Sequence, residues 1–573
     1  MAKCIWICSR QPFPRTVEEK ITNICNSISP DNITPREPQI NIGSDIAYGI
    51  MNPTNTILTH GNSLMLGKLI GDNDRWHEPG TDFPEGIYAL FRDGEGFCEI
   101  ITDTVATRTI WYYHDENLFV ASTSQRAIIL YLGGFEFDDR VIPWMLSTGS
   151  LGPTLSWDKR IKRVPPDTSV ILDKKNWTIS INQIPVEFVE TKISDTDHEK
   201  YMREVLDATF ESIKFDFNDW ILPLSGGYDS RGILCLLKSK DNADGIRTIT
   251  WGLKTSLENK TNDAYVATQL AKKLNVPHMY FCNDITQEPA ELLINRFLIN
   301  GEGRVDHVGG YMDGFQIWKH LYESNIQGII RGDEGFGWTE VLSPLDVRKC
   351  VGFTICNDYS NLKDFLSQSS QSQDIPPLLG HKDGETFSTW RDRLYHTDRI
   401  STILAALSDL KLSYVEIVNP LLTRKIVYQV RRLPDHLRTL KVLYKKTVIS
   451  MSPDVPFATV GANAENSGVL KLRQVVDLVK NDITSDTALG LFPPEFINDV
   501  VSNLKVLDQT QLRNERKEST ASFKAVAKKL LPSGLKNLVK TKVLPRPALD
   551  YNIIAFRMYI IMRMRRLLTE GHF

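Results

Sequence analysis

From the N-terminus to about residue 193, apolar residues alternate with polar ones or come in short runs: Cys4-Ile5-Trp6-Ile7, Thr56-Ile57-Leu58, Ile87-Tyr88-Ala89-Leu90-Phe91, Thr109-Ile110-Trp111-Tyr112-Tyr113 and Leu118-Phe119-Val120. Asp93-Gly94 and Asp115-Glu116-Asn117 mark turns between such runs. The period of two predicts strands and hairpins, in sheets packed face to face. A charged stretch from Glu190 to Glu199 closes this region. Beyond it the period lengthens, predicting a helix over Tyr201 to Phe215, a strand over Trp220 to Leu222 and a helix over Ser230 to Leu237. A strand at Arg247 to Trp251, a helix at Asp263 to Leu274 and a strand at His278 to Phe281 continue the alternation. Such an order predicts a parallel sheet with its ligand crevice at the carboxyl ends of the strands. From about Thr386 the pattern is mostly helical, with Ile403 to Leu412, Arg424 to Leu433 and Val469 to Val479 as candidates. Three regions are expected: 1–193, 200–460 and a helical extension over 461–573.

At 573 residues the chain is longer than one hydrophobic core usually supports. A net charge of −3 and 42% hydrophobic residues give no global pull toward nucleic acid or anionic membrane, so neither partner is expected. The eight cysteines are scattered without a Cys-x-x-Cys pair, which reads as buried thiols in a reducing compartment. No export signal is visible at the start, and a cytoplasmic protein is the expectation. The apolar stretch Tyr551 to Leu568 is interrupted by Arg557, Arg563, Arg565 and Arg566, which argues against stable membrane insertion. Phe523 to Lys542 sets Lys524, Lys528, Lys529, Lys536, Lys540 and Lys542 among aliphatic residues. That segment reads either as a helix for an acidic surface or as a peripheral helix with a solvated face, broken at Pro532-Ser533-Gly534.

The most informative turn is Leu224-Ser225-Gly226-Gly227-Tyr228-Asp229-Ser230-Arg231, between the apolar runs Trp220 to Leu222 and Ile233 to Leu237. Two glycines let backbone approach a ligand closely, while the hydroxyls of Ser225 and Ser230 and the free amides of a helix start are aimed at an anion. Asp229 would repel phosphate oxygens unless a divalent cation lay between them. The turn therefore reads as a site for nucleotide phosphates and magnesium. No Gly-x-x-x-x-Gly-Lys-Ser/Thr element exists, since Gly61 to Lys68 has the wrong spacing and no hydroxyl after the lysine.

Ser225-Gly226-Gly227-Tyr228-Asp229-Ser230 resembles the pyrophosphate loop of the ATP pyrophosphatases, and the rest of the chain is similar to the asparagine synthetase family. Pro84 to Leu90, Asp103 to Tyr113, Ala121 to Ala127 and Ile161 to Asp167 resemble segments of its glutaminase domain. Gly332-Asp333-Glu334-Gly335-Phe336-Gly337 resembles its second magnesium segment, and Glu416 to Leu422 a further family segment. The resemblance implies an α+β N-terminal domain, an Ntn-hydrolase-like β-sandwich. An α/β synthetase domain of the adenine nucleotide α-hydrolase-like parallel-sheet kind follows, with a helical C-terminal part. It implies ATP held by Leu224, Ser225, Gly226, Gly227, Asp229, Ser230, Trp251, Gly252 and Gly332. It also implies Mg2+ on Asp229 and Asp333, and gives Asp263 an acidic position of less certain role.

Several features depart from the family, among them Val164 and Asp167 in the Ile161 to Asp167 segment and Arg331 in place of a small residue. Ala2 stands where the family has its cysteine nucleophile, and Cys4 is two residues too late to use its own α-amine, so a silent glutaminase half is expected. Ile330 stands where the family has an acidic or phenolic catalytic residue, and nothing after Pro453 matches its lysine segment. Lys445 and Lys446 are candidates to replace that lysine, and read equally as solvated helix charges. Arg331 is a candidate to bind a phosphate or substrate carboxylate, or to pair with Asp333 or Glu334. Glu302, Asp306 and His307 form a polar cluster readable as a substrate loop or a solvated turn. The resemblance implies a carbon–nitrogen ligase that adenylates a substrate carboxylate and lets an amine or ammonia form an amide, with lactam, macrolactam and sugar-acid amide formation in range. A glutamine-dependent asparagine synthetase and a non-catalytic nucleotide-binding protein are the alternatives. A homodimer and a peptide substrate are both compatible with the chain.

Overall fold

The computed structural model of the protein describes residues 3–71, 73–240, 245–369, 371–463, 466–508 and 546–571. It is a mixed α/β structure with two antiparallel sheets and one parallel sheet. The first antiparallel sheet runs, edge to edge, Lys162–Arg163 (β10), Trp111–His114 (β8), Leu118–Ser122 (β9), Cys4–Ser9 (β1), Ile46–Ile50 (β3) and Gln39–Ile42 (β2). The second runs Thr178–Gln183 (β12), Thr168–Asp173 (β11), Phe97–Thr102 (β7), Gly86–Asp93 (β6), Ser63–Leu69 (β5) and Leu58–His60 (β4). Alternation along β1 decides the layering. Cys4, Trp6 and Cys8 point into the core between the sheets with Leu66, Phe91 and Ile100, while Ile5 and Ile7 face helices on the outside.

Those outer helices, Val17–Ser27 and Gln125–Leu132, lie in a region whose pattern predicts only strands. Val17, Ile21, Ile24 and Cys25 are all buried, and their spacing is that of one helical face. The helix Asp195–Ser212 likewise starts inside the charged stretch that reads as a boundary, because Ser194 caps it by accepting from the Asp197 amide.

The parallel sheet comprises Trp220–Pro223 (β13), Thr248–Gly252 (β14), His278–Cys282 (β15), Gly328–Ile330 (β16) and Glu416–Val418 (β17), in the order β15-β14-β13-β16-β17. All four pairings are parallel. The strand β13 is central, and the chain leaves it first to one side and later to the other. The switch point, where crossover helices diverge and leave a crevice, is therefore at its carboxyl end.

Among the described residues, the helices after residue 461 pack on one another and on earlier parts of the chain. The helix Tyr551–Glu570 packs on Arg473–Ile483, on Pro494–Ser502 and, in the N-terminal region, on Val141–Thr148. Its buried arginines are paired: Arg557 Nε donates to Asp306 at 2.7 Å, and Arg563 reaches Asp482 at 2.6 Å and Glu291 at 2.8 Å. Among the described residues no helix is long and apolar enough to cross a membrane. The basic segment Phe523 to Lys542 lies outside the described residues.

Candidate functional site

The turn from Leu224 to Ser230 leaves the carboxyl end of β13 and enters the helix Asp229–Lys238. Leu224 is buried and continues the strand, its amide donating to Ile249 O at 2.7 Å. The Ser225 amide donates to Ser230 Oγ at 2.9 Å, and the two hydroxyls lie 3.0 Å apart. The Gly226 amide donates to Asp263 Oδ1 at 3.2 Å, so that carboxylate, at the start of the next helix, buttresses the loop. Among the described residues nothing accepts from the amides of Tyr228, Asp229 and Ser230, which are the orphan donors of a helix start.

Glycine is required at two of these positions by close approach. A Cβ on Gly226 would lie 2.5 Å from Ala458 Cβ, and one on Gly332 3.0 Å from the Ser230 amide nitrogen. The second contact brings the segment after β16 against the loop after β13, so Asp229 and Asp333 come from adjacent strand ends.

Each of those carboxylates faces a cation of the protein itself. Lys441 Nζ lies 3.2 and 3.1 Å from the two oxygens of Asp229 and 2.7 Å from Glu334 Oε1. Arg331 Nη2 lies 3.1 Å from Asp333 Oδ1. Burial, with Asp229 beside it, pushes the Glu334 carboxyl up to about 7, while Lys441 pulls the other way. Burial raises Asp229 too, against Lys441 and reinforced by Asp333. Burial works against the Lys441 charge, but Glu334 and Asp229 outweigh it and hold the ammonium protonated.

One wall of the crevice is a strap, residues 455 to 463. Arg231 donates to Val455 O at 2.7 Å and Pro456 O at 2.9 Å, and its guanidinium lies 3.9 Å from the Phe457 ring centre. Phe457 stacks on Tyr228 at 3.9 Å. The Ala458 amide donates to Gly226 O at 3.0 Å, and the Leu253 amide to Ala462 O at 3.0 Å. The strap thus runs from the Ser225 to Ser230 loop to the end of β14, where Ala462 sits against Gly252 and Trp251 meets Trp318 edge-on at 5.2 Å.

The remaining expected residues divide. Lys445 stays at the rim, 5.2 Å from the Tyr228 ring centre. Lys446 turns outward and pairs with Glu199 at 2.6 Å, away from the crevice, because it occupies the solvent side of the helix Val442–Met451. Arg331 takes the pairing with Asp333. Of the cluster Glu302, Asp306 and His307, the two carboxylates are buried in ion pairs rather than solvated, while His307 stays half-exposed with Nδ1 3.0 Å from Asp306. Glu302 is buried, accepts from Ser124 and the Gln125 amide, and lies 3.6 Å from Lys3, while Asp306 carries Arg557. Cys4 is fully buried at the start of β1, where burial pushes its thiol up to about 12. Ala2 lies outside the described residues. Lys441 and the strap carry no motif, and nothing in the local pattern marks them as part of a site.

No protein-family model matches the chain, and no curated protein matches it. Among solved structures, a similar one is glutamine phosphoribosylpyrophosphate amidotransferase from B. subtilis complexed with ADP and GMP, at 10% identity and a TM-score of 0.22. That match covers 50% of this chain and 66%, just under two thirds, of the other. A second, described as the allosteric regulatory enzyme of purine biosynthesis, matches at 9% identity and a TM-score of 0.22, covering 57% of this chain and 79% of that one. At this level of likeness, function has to be read from the residues themselves.

Proposed function

We propose that the protein is an ATP-dependent, AMP-forming carbon–nitrogen ligase resembling the asparagine synthetases. In this reading it adenylates a substrate carboxylate, releases pyrophosphate and lets an amine or ammonia form the amide. The observation that carries this reading is the loop from Ser225 to Ser230 at the switch point of the parallel sheet, with Asp229 and Asp333 brought to it from neighbouring strand ends. Free amides and hydroxyls suit phosphate oxygens, and two hard carboxylates suit Mg2+. Magnesium would supply charge neutralisation on the leaving pyrophosphate. The chain's own part is to fix the phosphates through the Tyr228, Asp229 and Ser230 amides and to place Lys445 at the rim. The strap shields the adenosine side along Gly252 and Trp251, which favours attack by a bound amine over attack by water.

The N-terminal sheets, which we read as an Ntn-hydrolase-like domain, support a silent glutaminase. The Cys4 thiol is buried and protonated, so the nitrogen comes from free ammonia or a substrate amine. We place the protein in the cytoplasm. The ion pairs on Asp229 and Asp333 favour a second reading, a nucleotide-binding protein without turnover. Pyrophosphate release from ATP and Mg2+, measured against a panel of carboxylates, separates the two. Release lost in both Asp229→Ala and Asp333→Ala supports the ligase, whereas ATP binding with no release for any carboxylate supports the second reading.

A further inference from the structure

Lys441 reaches the crevice in an unusual way. It precedes the helix Val442–Met451, and both Leu440 (φ 59°, ψ 15°) and Lys441 (φ 57°, ψ 38°) are left-handed without being glycine. Each such residue is disfavoured, because its Cβ crowds the following carbonyl oxygen. Strain of this kind persists only where the surroundings over-determine it. Here the Leu440 amide donates to Trp338 O at 2.6 Å, and the Lys441 ammonium is received by three carboxylate oxygens, from Asp229 and Glu334, at 2.7 to 3.2 Å. Lys441 and Glu334 are both largely enclosed, at 21% and 8% exposure. A carboxylate as enclosed as Glu334 requires a cation partner.

The geometry points to Lys441 as a built-in cation that takes the place of one divalent ion at Asp229 and Glu334, so that a bound nucleotide brings a single metal ion, on the Asp333 side. This rests on the nucleotide reading of the crevice. An ammonium is a compact point charge with three donors, so it can bridge two carboxylates as a small metal ion does. It also excludes a second metal ion between Asp229 and Glu334. Mg2+ requires oxygen ligands at about 2.0–2.1 Å, which brings it into space and charge that Lys441 already fills. Asp333 is not bridged in this way, since Arg331 meets one of its oxygens at 3.1 Å.

The test counts Mn2+ and a non-hydrolysable ATP analogue bound per full-length chain by equilibrium dialysis, with Mn2+ read by electron paramagnetic resonance. The expected metal-to-nucleotide ratio is about one in the wild type, about two in Lys441→Met, and about one in Lys441→Arg, which keeps the charge. Circular dichroism checks that the variants fold. If Lys441→Met does not fold, Lys441→Gln, which also removes the charge, takes its place and should likewise raise the ratio to about two, a ratio of one in that folded variant overturning the inference. A ratio of two in the wild type, or one in folded Lys441→Met, overturns the inference while leaving the nucleotide site standing. A wild type that binds no nucleotide overturns the nucleotide reading itself.

Discussion

The carbonyl oxygen of Gly226 accepts the amide of Ala458 at 3.0 Å, joining a turn after a central strand to a strap more than two hundred residues later. The contact is possible because residue 226 has no side chain. A Cβ there would lie 2.5 Å from Ala458 Cβ and 2.8 Å from Val266 Cβ.

Gly226→Ala should therefore lift the strap from the loop. Overpacking of this kind costs about 1–3 kcal/mol, so nucleotide affinity should fall by roughly fivefold or more. Adding Ala458→Gly should recover part of the loss, since it removes one of the two clashing groups. Titration calorimetry on the single and double variants measures both, and an unchanged affinity in Gly226→Ala would refute the contact.

Lysine substitutions should separate sharply. Lys446 pairs with Glu199 while 66% exposed, and such surface pairs contribute about 0–1 kcal/mol, so Lys446→Ala should leave pyrophosphate release within about twofold. Lys445→Ala, at the rim over Tyr228, should lower it about tenfold or more, within the range of a lost electrostatic contact to the reacting groups. Equal effects of the two would show that neither lysine serves the site.

Breaking the Arg557–Asp306 pair should destabilise the fold by about 3–5 kcal/mol, because Arg557→Met strands a buried carboxylate. Burial alone would raise Asp306, but Arg557 and then His307 hold it at about 2. A carboxyl depressed in the folded state adds stability that is present above its unfolded value near 4 and is lost as pH falls toward 2. The acid-induced drop in unfolding midpoint between pH 4 and pH 2 should shrink in Arg557→Met, a difference that thermal melts would show.

His396 titrates in the opposite chemical sense with the same outcome. It is fully buried with Nε2 2.8 Å from Gly335 O, and burial followed by the Arg431 charge lowers its pKa to about 3. The unfolded chain takes up a proton below about 6.5 that the folded one refuses, so stability is complete above that pH and declines as pH falls toward 3. His396→Asn should flatten the dependence of unfolding midpoint on pH between 6.5 and 4. An unaltered slope would show that the ring is protonated in the folded protein.

Of the candidate site, the placing of the Ser225 to Ser230 turn between a strand and a helix was legible in the chain. The Ser225 to Ser230 turn and the Asp333 segment stand out because anion-binding geometry needs glycines, hydroxyls and a helix start within a few residues, and such local requirements leave a contiguous signature. The strands β13, β14 and β15 were readable from their apolar runs, each within a residue or two of its observed bounds. The helix Val17–Ser27 was missed, although Val17, Ile21, Ile24 and Cys25 carry a helical spacing, because strand-like runs on either side dominate the window. Reading Lys446 into the site failed because a helix sends neighbouring side chains to different faces, and its orientation is set by packing.

The sequence by itself determined the order of strands and helices from Tyr201 to Phe281, the glycine and serine turn at Ser225 to Ser230, and an alanine at position 2. These follow from short-range stereochemistry and covalent identity. Only the tertiary structure decided that Lys441 sits on Asp229 and Glu334, that Arg331 holds Asp333, that the strap covers Gly226, that Glu302 meets Lys3 and that Asp306 holds Arg557. Each of those pairs is distant in sequence or depends on side-chain direction. Charges find their partners through the three-dimensional packing of the elements that carry them, which no local pattern encodes.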